Sequence, residues 1–106
     1  MTDINPQSEL ALARAVFPKA HFACVKVGML DVISSQWMGF FRPRTDHFTA
    51  VLCWLLAQGG SVDSKCVEAW SNGTYRGMEY HDNTPASLAA AVHRAAIRVI
   101  EVGAHG

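Results

Sequence analysis

Apolar positions recur along this chain in two periods, one near 3.6 residues and one of two, and the switches between them mark out helices and strands. Leu10, Leu12, Ala13, Val16 and Phe17 supply the apolar side of a first helix. Asn5-Pro6 opens it as cap and first-turn proline, and Phe17-Pro18 closes it, because a residue before proline is pushed out of the helical region. From His21 to Val27, Phe22, Cys24 and Lys26 alternate with Ala23, Val25 and Val27, which predicts a strand that Gly28 breaks. Met29 to Phe41 reads as a further extended segment, with a loop around an aromatic anchor as the alternative. Arg42-Pro43-Arg44 is a turn, and Thr45 or Asp46 is placed to cap a second helix over residues 46–58. Its residues Phe48, Val51, Leu52, Leu55 and Leu56 form a broad apolar side, and Gly59-Gly60 ends it. With Cys53 and Trp54 also apolar, this helix is either central or the interface of a homodimer.

The stretch Lys65 to Glu101 organises the rest. Asn72-Gly73 is the pair that most readily takes the positive φ of a two-residue type I′ turn, so Lys65 to Tyr80 predicts a hairpin. In the simplest register Ser71 faces Thr74, Trp70 faces Tyr75, Ala69 faces Arg76, Glu68 faces Gly77, Val67 faces Met78 and Cys66 faces Glu79. That register puts Val67, Ala69, Met78 and Tyr80 on a face towards the helices, and Cys66, Glu68, Trp70, Tyr75 and Glu79 on the other. Thr84-Pro85 then opens an alanine-rich helix with no glutamate to complete a capping box. Leu88, Val92, Ala95 and Val99 form one apolar row and Ala89, Ala96 and Ile100 the next; Ile97 falls outside this arc and suggests a contact beyond the core. Gly103 is the expected stop. These elements predict an α+β fold: one domain over residues 1–106, with a small antiparallel sheet that includes hairpin 65–80 packed against two or three helices.

Half of the 106 residues are apolar, enough for a core without metal or disulfide support, and the formal net charge is zero. Neutrality gives no electrostatic reason to bind nucleic acid and none to imitate it. Cys24, Cys53 and Cys66 are odd in number and lack Cys-x-x-Cys spacing, so they read as core thiols of a reducing cytosol. The amino terminus lacks the regions of a signal peptide and no apolar run reaches spanning length, so a soluble cytoplasmic protein with no membrane contact is expected.

His81, Asp82 and His93 are the set that most resembles a metal or acid–base site, which makes a small metal-dependent enzyme one alternative function; the competing reading is a turn before a helix and a histidine at the edge of an apolar arc. Glu68 and Glu79, on one hairpin face, are a candidate carboxylate pair or two solubilising charges. Phosphate loops, nucleophile elbows and His-Glu-x-x-His are missing from the sequence, which favours a protein that is not an enzyme and needs no cofactor. The binding candidate is Gln36 to Arg44, where Trp37, Phe40, Phe41, Arg42 and Arg44 combine the residue types that concentrate at interface hot spots; its competing reading is a buried strand with arginines at the end. Trp70 and Tyr75 add an aromatic pair on the outer hairpin face.

The order of greasy helix, hairpin, and Asn83-Thr84-Pro85 opening an alanine-rich helix resembles the small phage proteins described as phage α-β-α sandwich domains, and the NinX-like phage proteins, over roughly residues 43–100. The resemblance is one of topology and of that junction. It implies an accessory protein of a phage or prophage that binds a bacterial protein complex, with a CRISPR effector or another defence component as the natural target. A neutral surface then favours an interface of shape and aromatic residues over mimicry of DNA. A self-associating structural protein built on helix 46–58 is the remaining alternative.

Overall fold

The computed structural model describes residues 6–26, 29–33 and 38–105. The fold is α+β. The described elements run α1 (Pro6–Val16), β1 (His21–Lys26), β2 (Met29–Ile33), β3 (Met38–Phe40), α2 (Phe48–Ala57), β4 (Ser61–Val62), β5 (Cys66–Ser71), β6 (Thr74–Tyr80) and α3 (Pro85–His105). The strands form two antiparallel three-stranded sheets, β1-β2-β3 and β4-β5-β6. The extended reading of Met29 to Phe41 thus holds for β2 and β3, while Val27, Gly28 and residues 34–37, Trp37 among them, lie outside the described residues.

α3 is the centre of the packing, touching β5 and β6 on one side and α1 and α2 on others. Its first turn is closed by hydrogen bonds that run both ways. The Ser87 N–H donates to Thr84 Oγ1 (3.3 Å), and Ser87 Oγ accepts from the Asp82 N–H (3.1 Å). Serine thus takes the reciprocal role that glutamate plays in a capping box, but reaches back two residues further. Two expectations about this helix need correction. Ile97 is buried in the core, because it stands four residues after His93 on the side of α3 that meets α1. Gly103 does not stop the helix, which runs to His105; one glycine weakens a helix by about 1 kcal/mol without ending it.

α2 begins at Phe48 rather than at 46, and neither Thr45 nor Asp46 caps it. Its cap position is His47, which makes no side-chain cap bond. A tight backbone turn does the work instead: Thr45 N–H and His47 N–H both reach Arg42 O, and Phe48 N–H reaches Thr45 O. At the other end, Gly59 N–H bonds Leu56 O and Gly60 N–H bonds Leu55 O around a positive φ at Gly59, the paired bonds of a Schellman ending. Val51 and Leu55 are buried, while Cys53 and Leu56 are exposed, so α2 has one core side and one apolar outer side.

The hairpin turns at Asn72 and Gly73, with φ of 54° and 75°, as the dipeptide predicts. Its register departs from the simple one after a single step. Trp70 still pairs with Tyr75, but Ala69 pairs with Gly77, Glu68 with Met78, Val67 with Glu79 and Cys66 with Tyr80. Arg76 is the extra residue of a bulge, and Gly77, with φ 126°, absorbs the bend. Beyond the bulge every side chain of β6 changes face. Met78 and Tyr80 move to the outer face beside Glu68 and Trp70, and Glu79 turns inward beside Val67. Glu68 and Glu79 therefore lie on opposite faces and are not a carboxylate pair.

Candidate functional site

The outer face of β5 and β6 carries Glu68, Trp70, Tyr75, Met78 and Tyr80. Among the described residues, α3 packs extensively on the inner face of these strands, and a β-carbon built on Gly59, between α2 and β4, would lie 3.5 Å from the Trp70 β-carbon. Trp70 and Tyr75 meet edge to face with centroids 5.5 Å apart, and Trp70 Nε1–H donates to Glu68 Oε1 at 3.0 Å, which fixes the indole in place. Tyr75 is 45% exposed and Tyr80 70% exposed. The result is a rigid, half-buried tryptophan flanked by two accessible phenols and one carboxylate.

The segment from Phe40 to Arg44 is divided between inside and outside. Phe40 ends β3 and is half-buried. Phe41 is only 2% exposed and belongs to the main core, stacked on His47 (5.8 Å, 9°) and meeting Phe17 edge-on. The expectation that Phe41 contacts a partner is thereby corrected: an interior ring offers no surface. Arg42 is exposed and lies near Asp46, with Nε 3.7 Å from Oδ2. Arg44 does more than cap a strand end. Its Nε–H donates to Nδ1 of the buried His93 at 2.9 Å. Burial, and then the nearby Arg94, lower the pKa of Arg44, while Glu9 opposes them.

His93 Nε2 in turn stands 2.9 Å from Oε1 of Glu9, off the line of a straight hydrogen bond, and Glu9 is itself buried. The chain Glu9, His93, Arg44 thus joins α1, α3 and the loop before α2. Glu9 was not among the sequence candidates, although a signal for it exists: with Leu12, Ala13 and Val16 it occupies the i, i+3, i+4, i+7 stripe of α1 that faces inward.

His81, Asp82 and His93 do not come together. His81 Nδ1 accepts the Asn83 N–H (3.1 Å), so its Nε2 carries the proton and donates to Asp63 O (2.7 Å). Asp82 Oδ1 accepts from both the hydroxyl (2.7 Å) and the N–H (3.1 Å) of Thr84, and these bonds hold its carboxyl below the usual range. Among the described residues no group of three His, Cys, Asp or Glu side chains is arranged to hold a metal ion, and these three are engaged separately, so the alternative of a metal site built on them is not supported.

Asp63 makes a second local hook. Its Oδ1 accepts the N–H groups of Lys65 (2.7 Å) and Cys66 (2.9 Å), which pull its pKa down. The Cys66 thiol donates to Oδ2 at 3.6 Å and is pushed up, first by burial and then by that carboxylate. Cys66 is thus held as an unreactive thiol that ties β5 to its own entry turn. No described helix is long and apolar enough to cross a membrane. No protein-family model, curated protein or solved structure matches this chain.

Proposed function

We propose that this chain is a non-enzymatic binding protein of a phage or prophage that acts in the bacterial cytoplasm and inhibits a bacterial protein complex, a CRISPR effector or similar defence component in the first place. The docking surface in this reading is the outer face of the β4-β5-β6 sheet. The observation that carries it is the Trp70–Tyr75 pair, locked by Glu68 and accompanied by the accessible Tyr80, on the sheet face away from α3. Aromatic side chains held in one rotamer give contact area with little entropy left to lose on binding, the property of interface anchors. The phage setting rests on the resemblance of residues 43–100 to small phage proteins, and a formal charge of zero supports a protein target rather than nucleic acid.

The test is affinity capture from bacterial lysate with wild-type protein and a Trp70→Ala/Tyr75→Ala variant of unchanged fold. One enriched complex that the variant loses is the expected result; equal capture by both removes this face as the site. A second reading, a homodimer through α2, is favoured by the exposure of Leu56 (46%) and Cys53 on its outer side. Light scattering that gives the mass of one chain at high concentration would exclude it.

A further inference from the structure

Two imidazoles hold the loop between β3 and α2 by the same device. His47 Nδ1 accepts the backbone N–H of Arg42 at 2.8 Å, and His93 Nδ1 accepts the Nε–H of Arg44 at 2.9 Å. Both bonds require a bare Nδ1, so each ring stands as its neutral Nε2–H tautomer. For His93 this tautomer also turns the ring N–H side towards Glu9, which makes it the state that suits both neighbours. We propose that residues 42–47 form a pH-sensitive latch, docked against Phe17 and α3 while His47 is neutral and released when protonation turns its Nδ1 from an acceptor into a donor aimed at the Arg42 N–H.

The charges around each ring define the contest. His93 stands between Glu9 of α1 and Arg44 of the loop and holds the loop by accepting the Arg44 Nε–H. Arg94, the next residue of α3, is held by Glu79 of β6. At His47, burial against Phe41 and Phe17 lowers the pKa most, Asp46 raises it and Arg42 lowers it again, and the balance is downward. The sign follows. A ring that resists protonation when docked and accepts it when free stabilises docking fully above the ordinary imidazole value of about 6.5, and that stabilisation is lost as the pH falls through the lower docked value. Titration of His47 shifts the equilibrium towards the open loop by about tenfold per pH unit in that window. Opening lifts the His47 ring from the face of Phe41 and frees Arg44, so the segment that changes is the same aromatic and arginine stretch that stands out in the sequence.

The experiment is an NMR titration of the full chain from pH 7.5 to 4.5, following the ring nitrogens of His47 and His93 and the backbone amides. The amides of Arg42, Thr45 and His47 should move with the same midpoint as protonation of the His47 Nδ1, while those of β5, β6 and α3 near Val92 stay in place. In His47→Asn, whose side-chain oxygen can accept near the Nδ1 position but does not titrate, the loop amides should stay flat across the range. Loop amides that ignore ring protonation in the wild type overturn the latch, and so does a transition in which the hairpin and the loop are lost together. The wild-type titration decides the matter even if the variant does not fold.

Discussion

The Arg98 side chain lies across the α-carbon of Gly77 on its way to Glu79. A methyl group built on Gly77 would stand 2.7 Å from Arg98 Nη1, 3.2 Å from Cζ and 3.3 Å from Cδ, and the residue also holds a φ of 126°. The bulge at Arg76 thus does two things at once: it turns Glu79 inward, and it opens the slot through which α3 reaches that carboxylate. Gly77→Ala is expected to lower unfolding stability by about 1–3 kcal/mol, measured by urea denaturation, because the flexible guanidinium can retreat but the backbone strain stays. Combining it with Arg98→Ala should relieve only the steric part.

Glu79 receives Nε–H bonds from Arg94 (2.8 Å) and Arg98. Burial works against its charge, the two arginines outweigh burial, and its pKa is lowered. A folded-state carboxyl below its unfolded value adds stability that is present above the ordinary range of about 4.3 and lost as the pH falls through the folded value. Because both arginines are nearly half exposed, Glu79→Gln should cost about 1 kcal/mol at neutral pH. Urea midpoints taken from pH 7 to pH 3 should show wild type and variant converging at the acid end.

Much of the fold was legible because its signals are local. Asn72-Gly73 dictates its turn, Thr84-Pro85 its helix start, and Gly59-Gly60 its helix end, each through backbone geometry that neighbours cannot easily override. The bulge was hidden, since Arg-Gly two residues past a hairpin turn looks like ordinary strand, and missing one residue reversed the assignment of Met78, Glu79 and Tyr80. Phe41 was ambiguous for a different reason: an aromatic beside arginine is equally at home in a core and at an interface, and only the packing of Phe17 and His47 on it decides. The Glu9, His93 and Arg44 chain joins residues 49 or more positions apart at two of its pairs, and no local pattern announces such a contact.

Gly60 is wedged between Leu55 of α2 and the backbone of Glu68, just before Ser61 pairs with Glu68 in β5. A β-carbon there would lie 2.8 Å from Glu68 O and 3.0 Å from both Leu55 Cγ and Leu55 O, and two of those three neighbours are backbone atoms that have no easy retreat. Gly60→Ala is expected to destabilise by about 1–3 kcal/mol through overpacking. The loss should appear as a lowered urea midpoint with an unchanged slope, since the unfolded chain exposes the same surface. A neutral result would mean that the junction between α2 and β4 can shift to make room.

Phe41 and Tyr75 carry opposite expectations that separate core from surface. Phe41→Ala removes a ring that is 2% exposed and contacts Phe17 and His47, and should lower stability by about 3–5 kcal/mol. Tyr75→Ala removes a ring that is 45% exposed and loses one edge-to-face contact with Trp70, worth about 0.5–1.5 kcal/mol. Thermal melting of both variants beside the capture experiment separates three outcomes. If Tyr75→Ala melts close to wild type and loses the captured complex, the outer hairpin face is the docking surface. If it melts close to wild type and still captures, the aromatic pair only stiffens the hairpin. Should Phe41→Ala melt close to wild type, Phe41 is not the core residue its burial makes it, and the segment from Phe40 to Arg44 returns as the candidate interface.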